Sequence, residues 1–257
     1  MKISATIITF NEEANIRDAC ESVAWADEIV VVDSASTDKT SEIAEGCGAR
    51  VIVKDWPGFS EQKQFATDQA SHEWIFSLDA DERVSAELKR SIAELRKLPA
   101  AQLADGYRIP RRSYYQARWI KGGGWYPDWQ LRLFRKSRGH WEPRHIHESV
   151  KMDASGRVER LSGDILHYGV RDSAHHHRMI GERYAPLAAQ QMFEEGRRTS
   201  QLKIATAAPA AFFRSYFLKG GFRDGLAGIS IASFAAHHAF LKNLMLWEKQ
   251  KAERRKQ

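Results

Sequence analysis

Four short runs of continuous hydrophobicity mark the first hundred residues: Ile3 to Phe10, Glu28 to Asp33 around Ile29-Val30-Val31-Val32, Val51-Ile52-Val53, and Trp74 to Leu78. A strand wetted on one side alternates apolar and polar residues, whereas an unbroken apolar run fits a parallel strand covered on both faces. The brevity and β-branching of these runs favour strands over helix fragments. Between them, helical spacing returns. Ile16, Cys20 and Val23 recur at intervals of four and three. The segment after Ser36-Thr37-Asp38 closes on Gly46 and Gly48, residues suited to a left-handed helix stop. Ser60 to Ala70 predicts a third helix with Phe65 inward. Ser85 is placed to cap a fourth, whose Leu88, Ile92 and Leu95 form one stripe before Pro99. The order β-α-β-α-β-α-β-α predicts a parallel sheet with right-handed crossovers.

The texture changes from Gly106 to Tyr168. Tyr107-Arg108-Ile109, Leu131 to Phe134 and Ser149-Val150-Lys151 read as short strands, joined by loops rich in Gly, Trp, Tyr, Pro and His. After about Asp172 the pattern is helical and basic. The expected division is an α/β part over residues 1–171, made of a 1–100 half and a 101–171 half, and a helical extension over 172–257. A chain of 257 residues accommodates one large α/β domain with a smaller appendage.

Hydrophobic residues at 43 % and charged residues at 28 % argue for a folded globular chain rather than a disordered one. The net charge of +6 is unevenly spread. Residues 197–257 hold 12 Lys/Arg against 3 Asp/Glu, so the basic character belongs to the C-terminal quarter. That points to an anionic partner, such as a membrane surface, a lipid phosphate or a nucleic acid, or else to a solvated helical face. Cys20 and Cys47 match no metal or redox spacing and read as reduced. The start runs straight into a strand, so no secretory signal is expected. Leu226 to Ala236 is too short for a span of roughly 20 apolar residues. A cytoplasmic location, peripheral on the cytoplasmic face of the inner membrane, is the expectation.

Three of the predicted strands end in polar clusters: Thr9-Phe10-Asn11-Glu12-Glu13, Asp33-Ser34-Ala35-Ser36-Thr37-Asp38, and Asp79-Ala80-Asp81-Glu82. Each alone also reads as a turn or helix cap. Together they collect where an open α/β sheet binds its ligand, beyond the carboxyl ends of the strands. A D-x-D at such an end can turn one carboxylate towards a hard divalent cation and the other towards a sugar or ribose.

These three motifs, in this order and spacing, resemble glycosyltransferase family 2. The resemblance is strong over roughly residues 2 to 100. It continues more weakly through Arg132-Leu133-Phe134-Arg135, His147-Glu148, His167-Tyr168 and Lys219-Gly220-Gly221-Phe222-Arg223-Asp224-Gly225, which look like the bacterial subgroup that builds the lipopolysaccharide inner core, including its β-1,4-glucosyltransferases. The resemblance implies a GT-A (nucleotide-diphospho-sugar transferase) fold: an α/β architecture with a mostly parallel central sheet, helices on both faces, and here a basic helical C-terminal extension. It implies an inverting, metal-dependent transfer of a hexose, such as glucose, from a UDP-sugar to a lipid-linked saccharide.

By the same resemblance the donor-binding residues are Thr9, Phe10, Glu12, Asp33, Lys63, Asp79, Ala80, Arg132 and Arg135. Phe10 and Glu12 would lie near the nucleotide, with Asp33 on the base and Asp79 on ribose or sugar. Asp81 would bind the metal, Mn²⁺ or Mg²⁺. His167 would be a second ligand or a diphosphate contact. Glu148 stands where the resemblance places the general base that an inverting displacement needs; Asp128 and Glu142 are the alternatives. Arg132 and Arg135 follow Gln130 without the spacing or Trp of the processive Q-x-x-R-W pattern, which argues against polymer synthesis.

The stretch Trp119 to Trp129, with Gly122-Gly123-Gly124, reads as an acceptor-side lid or as a packed loop. His175-His176-His177 lacks helical ligand spacing and reads as a solvated face. Phe240, Leu244 and Trp247 share a helical face ahead of the basic Lys249 to Lys256, a combination suited to the bilayer interface or to packing on the catalytic part. Two other readings share some of these features. One is a transferase loading sugar onto a polyprenyl phosphate. The other, of a different class, is a basic nucleic-acid-binding protein, against which stand the absence of a recognised motif and a slightly acidic N-terminal part.

Overall fold

The computed structural model describes residues 1–142 and 149–255. The chain divides into two compact units, one of residues 1–111 and 128–169, the other of residues 112–127 and 170–257. The stretch 112–127, expected within the α/β part, therefore belongs with the C-terminal helices.

In the first unit the predicted strands form as β1 (Ile3–Thr9), β2 (Glu28–Asp33), β3 (Arg50–Val53) and β4 (Trp74–Asp79). β3, β2, β1 and β4 lie side by side and parallel. Their unbroken hydrophobicity is explained by cover on both faces. Ile3, Ala5, Ile7 and Val31 pack with residues of α1 (Ile16–Ser22), α2 (Thr40–Gly46) and α4 (Ala86–Leu95). Ile8, Val30 and Val32 pack with Ala66 and the partly buried Phe65 of α3 (Phe59–Gln69). Ser85 caps α4 as expected: its hydroxyl accepts from the Leu88 amide at 3.2 Å, and Leu88, Ile92 and Leu95 are buried. Each buried Leu or Ile of that stripe contributes about 1.5–3 kcal/mol.

Beyond β4 the sheet becomes mixed. β5 (Glu82–Val84), β6 (Gly106–Tyr115), β8 (Asp128–Arg135), β11 (Val158–Arg160) and β12 (Ile165–His167) extend it in the order β4-β8-β6-β12-β5, with β11 beside β6. β8 is antiparallel to β4, with Phe76 opposite Leu133 and Trp74 opposite Arg135. β5 is antiparallel to β12, with Glu82 opposite His167. A separate hairpin is made of β9 (Gly139–Trp141) and β10 (Val150–Met152).

In the second unit, the end of β6 turns back on β7 (Arg118–Trp119), pairing Tyr114 with Trp119. The helices α5 (Ser173–Arg178), α6 (Ala185–Glu194), α7 (Gln201–Phe213) and the 30-residue α8 (Gly225–Arg254) complete it. Tyr115, Ile120, Ala227 and Ile231 form its buried centre. His176 is also buried, against Tyr115, Trp125 and Phe234, so the three-histidine run is not wholly a solvated face.

The glycine-rich stretch expected as a lid is held down. The buried Asp224 carboxylate accepts from the Lys121 and Gly122 amides, and the Gly123 amide donates to the Lys219 carbonyl. A Cβ on Gly122 would stand 2.3 Å from the Gly220 carbonyl oxygen, so the glycine serves close backbone approach rather than motion. Among the described residues, no helix is long and apolar enough to cross a membrane.

Candidate active site

Parallel pairing of β1 with β2 and β4 sets Thr9 beside Asp33 and Ile8 beside Asp79, bringing the three polar motifs to one edge of the sheet. The two loops after β1 and β2 are laced together. The Asn11 amide donates to Ser36 Oγ, Asn11 Oδ1 accepts from the Thr37 amide, and the Glu12 amide donates to Thr40 Oγ1. Glu12 itself accepts from Asn15 at 2.7 Å. Asn11 and Ala35 sit at φ +53° and +61°, in the left-handed region that non-glycine residues adopt at some cost. Asp33 is buried and accepts from the Ser36 amide at 3.0 Å and the Ser41 hydroxyl at 2.9 Å, so its carboxylate shapes this lip. Phe10 projects from the lip, 56 % exposed. Among the described residues the buried Thr9 hydroxyl has no hydrogen-bond partner.

At the end of β4 lies a buried ion network. Asp79 meets Lys63 Nζ at 2.8 Å and Arg132 at 3.0 Å. Arg132 also reaches Glu82 at 2.9 Å, Arg111 reaches Glu82 at 3.2 Å, and Arg111 reaches Asp128 at 2.8 Å. Lys63 comes from α3 and lies over the Trp141 ring at 5.0 Å. Burial opposes charge on Asp79, but the Lys63 and Arg132 cations outweigh it and hold the carboxyl far below the usual range. Glu82 fixes the turn by accepting from the Asp79 amide at 3.0 Å. With no solvent exposure of its own, it depends on Arg132 and Arg111.

Asp81, one turn further, points elsewhere. Its carboxylate lies 3.4 Å from His167 Nε2, brought there by the pairing of β5 with β12. Burial pushes the Asp81 carboxyl up, and the hydrogen bond and charge of His167 reverse this and lower it. Gly169 lets the backbone pass close against the pair. A Cβ there would stand 2.4 Å from His167 Nε2 and 3.0 Å from Asp81 Oδ2. Among the described residues no group of three or more His, Cys, Asp or Glu could hold a metal ion by itself. An ionised carboxylate with an imidazole is a donor set that fits a cation taking its remaining ligands from diphosphate oxygens and water.

Of the residues singled out in sequence, the structure brings together Lys63, Asp79, Ala80, Asp81, Arg132 and His167, with Asp128 joined through Arg111. Thr9, Phe10, Glu12 and Asp33 form the neighbouring lip. Arg135 does not join them. The antiparallel register carries it to the far end of β4, where it pairs with Asp105 at 3.3 Å and lies over Trp74 at 4.8 Å. Glu142 pairs with Lys151 at 3.6 Å. Glu148 lies outside the described residues. Sequence reasoning missed Glu82, Arg111 and Gly169. Glu82 adjoins the D-x-D and Gly169 follows His167-Tyr168, which was the available signal; Arg111 sits in a plain basic pair and offered none.

Comparison with known proteins gives the family. The model of the family described as "Glycosyl transferase family 2" matches residues 4–161. The lipopolysaccharide core biosynthesis glycosyltransferase LpsC of Rhizobium meliloti (strain 1021) is 33 % identical, over 97 % of this chain and 93 % of its own length. An uncharacterized glycosyltransferase of Rickettsia bellii (strain RML369-C) is 32 % identical, over 96 % of this chain and 86 % of its own. The crystal structure of glucosyl-3-phosphoglycerate synthase from Mycobacterium tuberculosis, in complex with Mn²⁺, UDP and glucosyl-3-phosphoglycerate, is 23 % identical with a TM-score of 0.36, covering 45 % of this chain and 44 % of that one. The family match over more than half the chain, and the identity to relatives along nearly all of it, establish that the chain is a GT-A-fold enzyme of glycosyltransferase family 2.

Proposed function

We propose that this glycosyltransferase moves a hexosyl group, such as glucose, from a UDP-sugar to a hydroxyl of a lipopolysaccharide-core-type glycolipid, with inversion, at a membrane surface on the cytoplasmic side. The observation that carries the donor half is the division of labour in Asp79-Ala80-Asp81: Asp79 is charge-compensated by Lys63 and Arg132, while Asp81 faces the His167 imidazole. The acceptor class is supported by the likeness to LpsC along nearly the whole chain.

Asp81 and His167 would hold a divalent cation, Mn²⁺ or Mg²⁺, whose chemistry when bound is to stabilise charge on the departing nucleoside diphosphate. Lys63 and Arg132 fix the Asp79 carboxylate so that it can accept from a ribose or sugar hydroxyl. Thr9, Phe10, Glu12 and Asp33 supply the nucleotide lip, with Phe10 as a ring face for the base and the Thr9 hydroxyl as a free polar group. Glu148 takes the acceptor proton as the acceptor oxygen bonds to the anomeric carbon. The bond from that carbon to the diphosphate oxygen breaks with its electrons, and one displacement inverts the centre.

The test is calorimetric titration of UDP, with and without Mn²⁺, into wild type and Asp81→Ala. The expected result is Mn²⁺-dependent binding that weakens about 100-fold in the variant, the scale of a lost metal-held contact. Glu148→Gln should bind UDP normally and transfer no sugar. A folded wild-type protein that binds no nucleoside diphosphate would overturn the reading.

A further inference from the structure

The C-terminal unit carries an apolar helix that packs on α8 along one face and leaves the other exposed. α7 has a single charged residue, Lys203, and none of its side chains is buried. Its apolar stripe includes Leu202 and Phe213 and passes through Phe217 into Leu218, then beyond the turn to Phe222 and Leu226 at the start of α8. These six side chains are between 52 % and 74 % exposed. The turn that displays them is tied down. Ser215 Oγ donates to the Gly123 carbonyl at 3.0 Å, and the buried Asp224 carboxylate holds the Gly122 amide at 2.7 Å. A fixed element that points large apolar side chains at water marks an interaction surface.

Charge identifies the occupant. From Arg197 to Trp247 there are seven Lys/Arg and a single acid, Asp224, which has no exposure. Arg214, Lys219 and Arg223 are exposed and alternate with the apolar residues of the turn. A second copy of the chain would set these cations against their own equivalents, since a two-fold interface pairs a patch with itself. An anionic bilayer interface accepts both features: acyl chains take the Phe and Leu side chains, and headgroup phosphates take the cations. The later face of α8, Phe240, Leu244 and Trp247, is already turned towards α7, where these three residues line a groove of about 320 Å³ with Ile204 and Ala205.

We infer that the turn between α7 and α8 is the membrane-docking element of this enzyme, inserting Phe213, Phe217, Leu218 and Phe222 into the interface while Arg214, Lys219 and Arg223 bind anionic headgroups. This rests on the reading of a lipid-linked acceptor and locates the contact that the reading requires.

The experiment is cosedimentation of the full chain with vesicles of phosphatidylcholine alone and of phosphatidylcholine mixed with phosphatidylglycerol. Wild type should bind the mixed vesicles. The triple variant Phe213→Ser, Phe217→Ser, Phe222→Ser should lose at least about tenfold in affinity, as should Arg214→Gln, Lys219→Gln, Arg223→Gln. Both should keep wild-type UDP binding and unfolding midpoint, because the changed side chains are exposed. A tail variant, Lys249→Gln, Lys251→Gln, Arg254→Gln, should lose much less. If the tail variant alone loses binding, the placement is wrong and the membrane reading survives. If wild type binds neither vesicle, both fall. A wild-type dimer in sedimentation velocity that the Phe variant converts to monomer would assign the surface to a second copy and overturn the proposal.

Discussion

In the N-terminal unit Glu82, Lys63 and Arg132 are all but excluded from water, yet each has an opposite charge within 3.2 Å. In the C-terminal unit Arg197 and Arg198 pair with Glu195 and Glu253 at the surface, Arg214, Lys219 and Arg223 are exposed in a stretch that holds no acid, and the buried Asp224 is satisfied by backbone amides. Burying charge is costly unless partners and hydrogen bonds compensate it, so the first arrangement makes sense as a preorganised polar site and the second as a surface awaiting an outside partner. One unit is complete in itself until a small charged ligand arrives. The other keeps its apolar and cationic groups outward.

The sharpest way to break that contrast is to remove one charge from each unit. Lys63→Ala takes a cation from Asp79, and losing one partner of a buried pair costs about 3–5 kcal/mol. Arg223→Gln, at an exposed cation, should cost less than about 0.5 kcal/mol. Urea denaturation of the two variants measures both. A Lys63→Ala cost below about 1 kcal/mol would mean that the network is wet enough for water to replace the lysine.

A smaller effect probes what the C-terminal unit does bury. Burial beside Tyr115, Trp125 and Phe234, with the neighbouring His175 adding to it, lowers His176 to about 4. The unfolded chain, with its ordinary value near 6.5, therefore takes up the proton first as pH falls. Stability from the neutral ring is present above about pH 6.5, declines as pH falls towards 4, and is constant below that. The loss should be about 3 kcal/mol over that window. His176→Leu should flatten it. Unfolding followed by hydrogen exchange within residues 170–255 at several pH values is the measurement, and an unchanged slope in the variant would assign the acid sensitivity elsewhere.

The two units also differed in how far the sequence disclosed them. β1 to β4 were readable because each is covered on both faces and so appears as a run such as Val30-Val31-Val32. The Ser85 cap and the Leu88, Ile92, Leu95 stripe were readable because both are local. β5 was not: Glu82-Arg83-Val84 has three residues and two charges, and it becomes a strand only by pairing with β12, eighty residues later. The same distance hid the role of Glu82, which reads as a surface acid until Arg111 and Arg132 are set against it. In the C-terminal part the aromatics and cations were plain, but which of them face outward was not. Phe240, Leu244 and Trp247 look as amphipathic as Phe213, Phe217 and Phe222, and only the packing of α7 beside α8 separates the groups. The glycine run was ambiguous for a related reason, since close approach and mobility select the same residue.

The smallest expected effect concerns two arginines that the sequence could not tell apart. Arg132 and Arg135 lie on one strand, three residues apart, and were assigned the same role. The register with β4 sets Leu133 opposite Phe76 and Arg135 opposite Trp74, so the two guanidiniums serve opposite ends of the neighbouring strand. Arg132 is buried between Asp79 and Glu82. Arg135 is partly exposed between Asp105 and the Trp74 ring, a setting in which an ion pair and a ring contact together contribute about 1 kcal/mol. Arg135→Ala should therefore lower stability by about that much and leave UDP affinity within twofold, whereas Arg132→Ala should remove UDP binding by releasing Asp79 and Glu82 from their shared cation. Calorimetry on the pair decides it. Equal losses of UDP affinity would place Arg135 at the donor after all, and would mean that the antiparallel pairing of β8 with β4 does not hold in the ligand-bound enzyme.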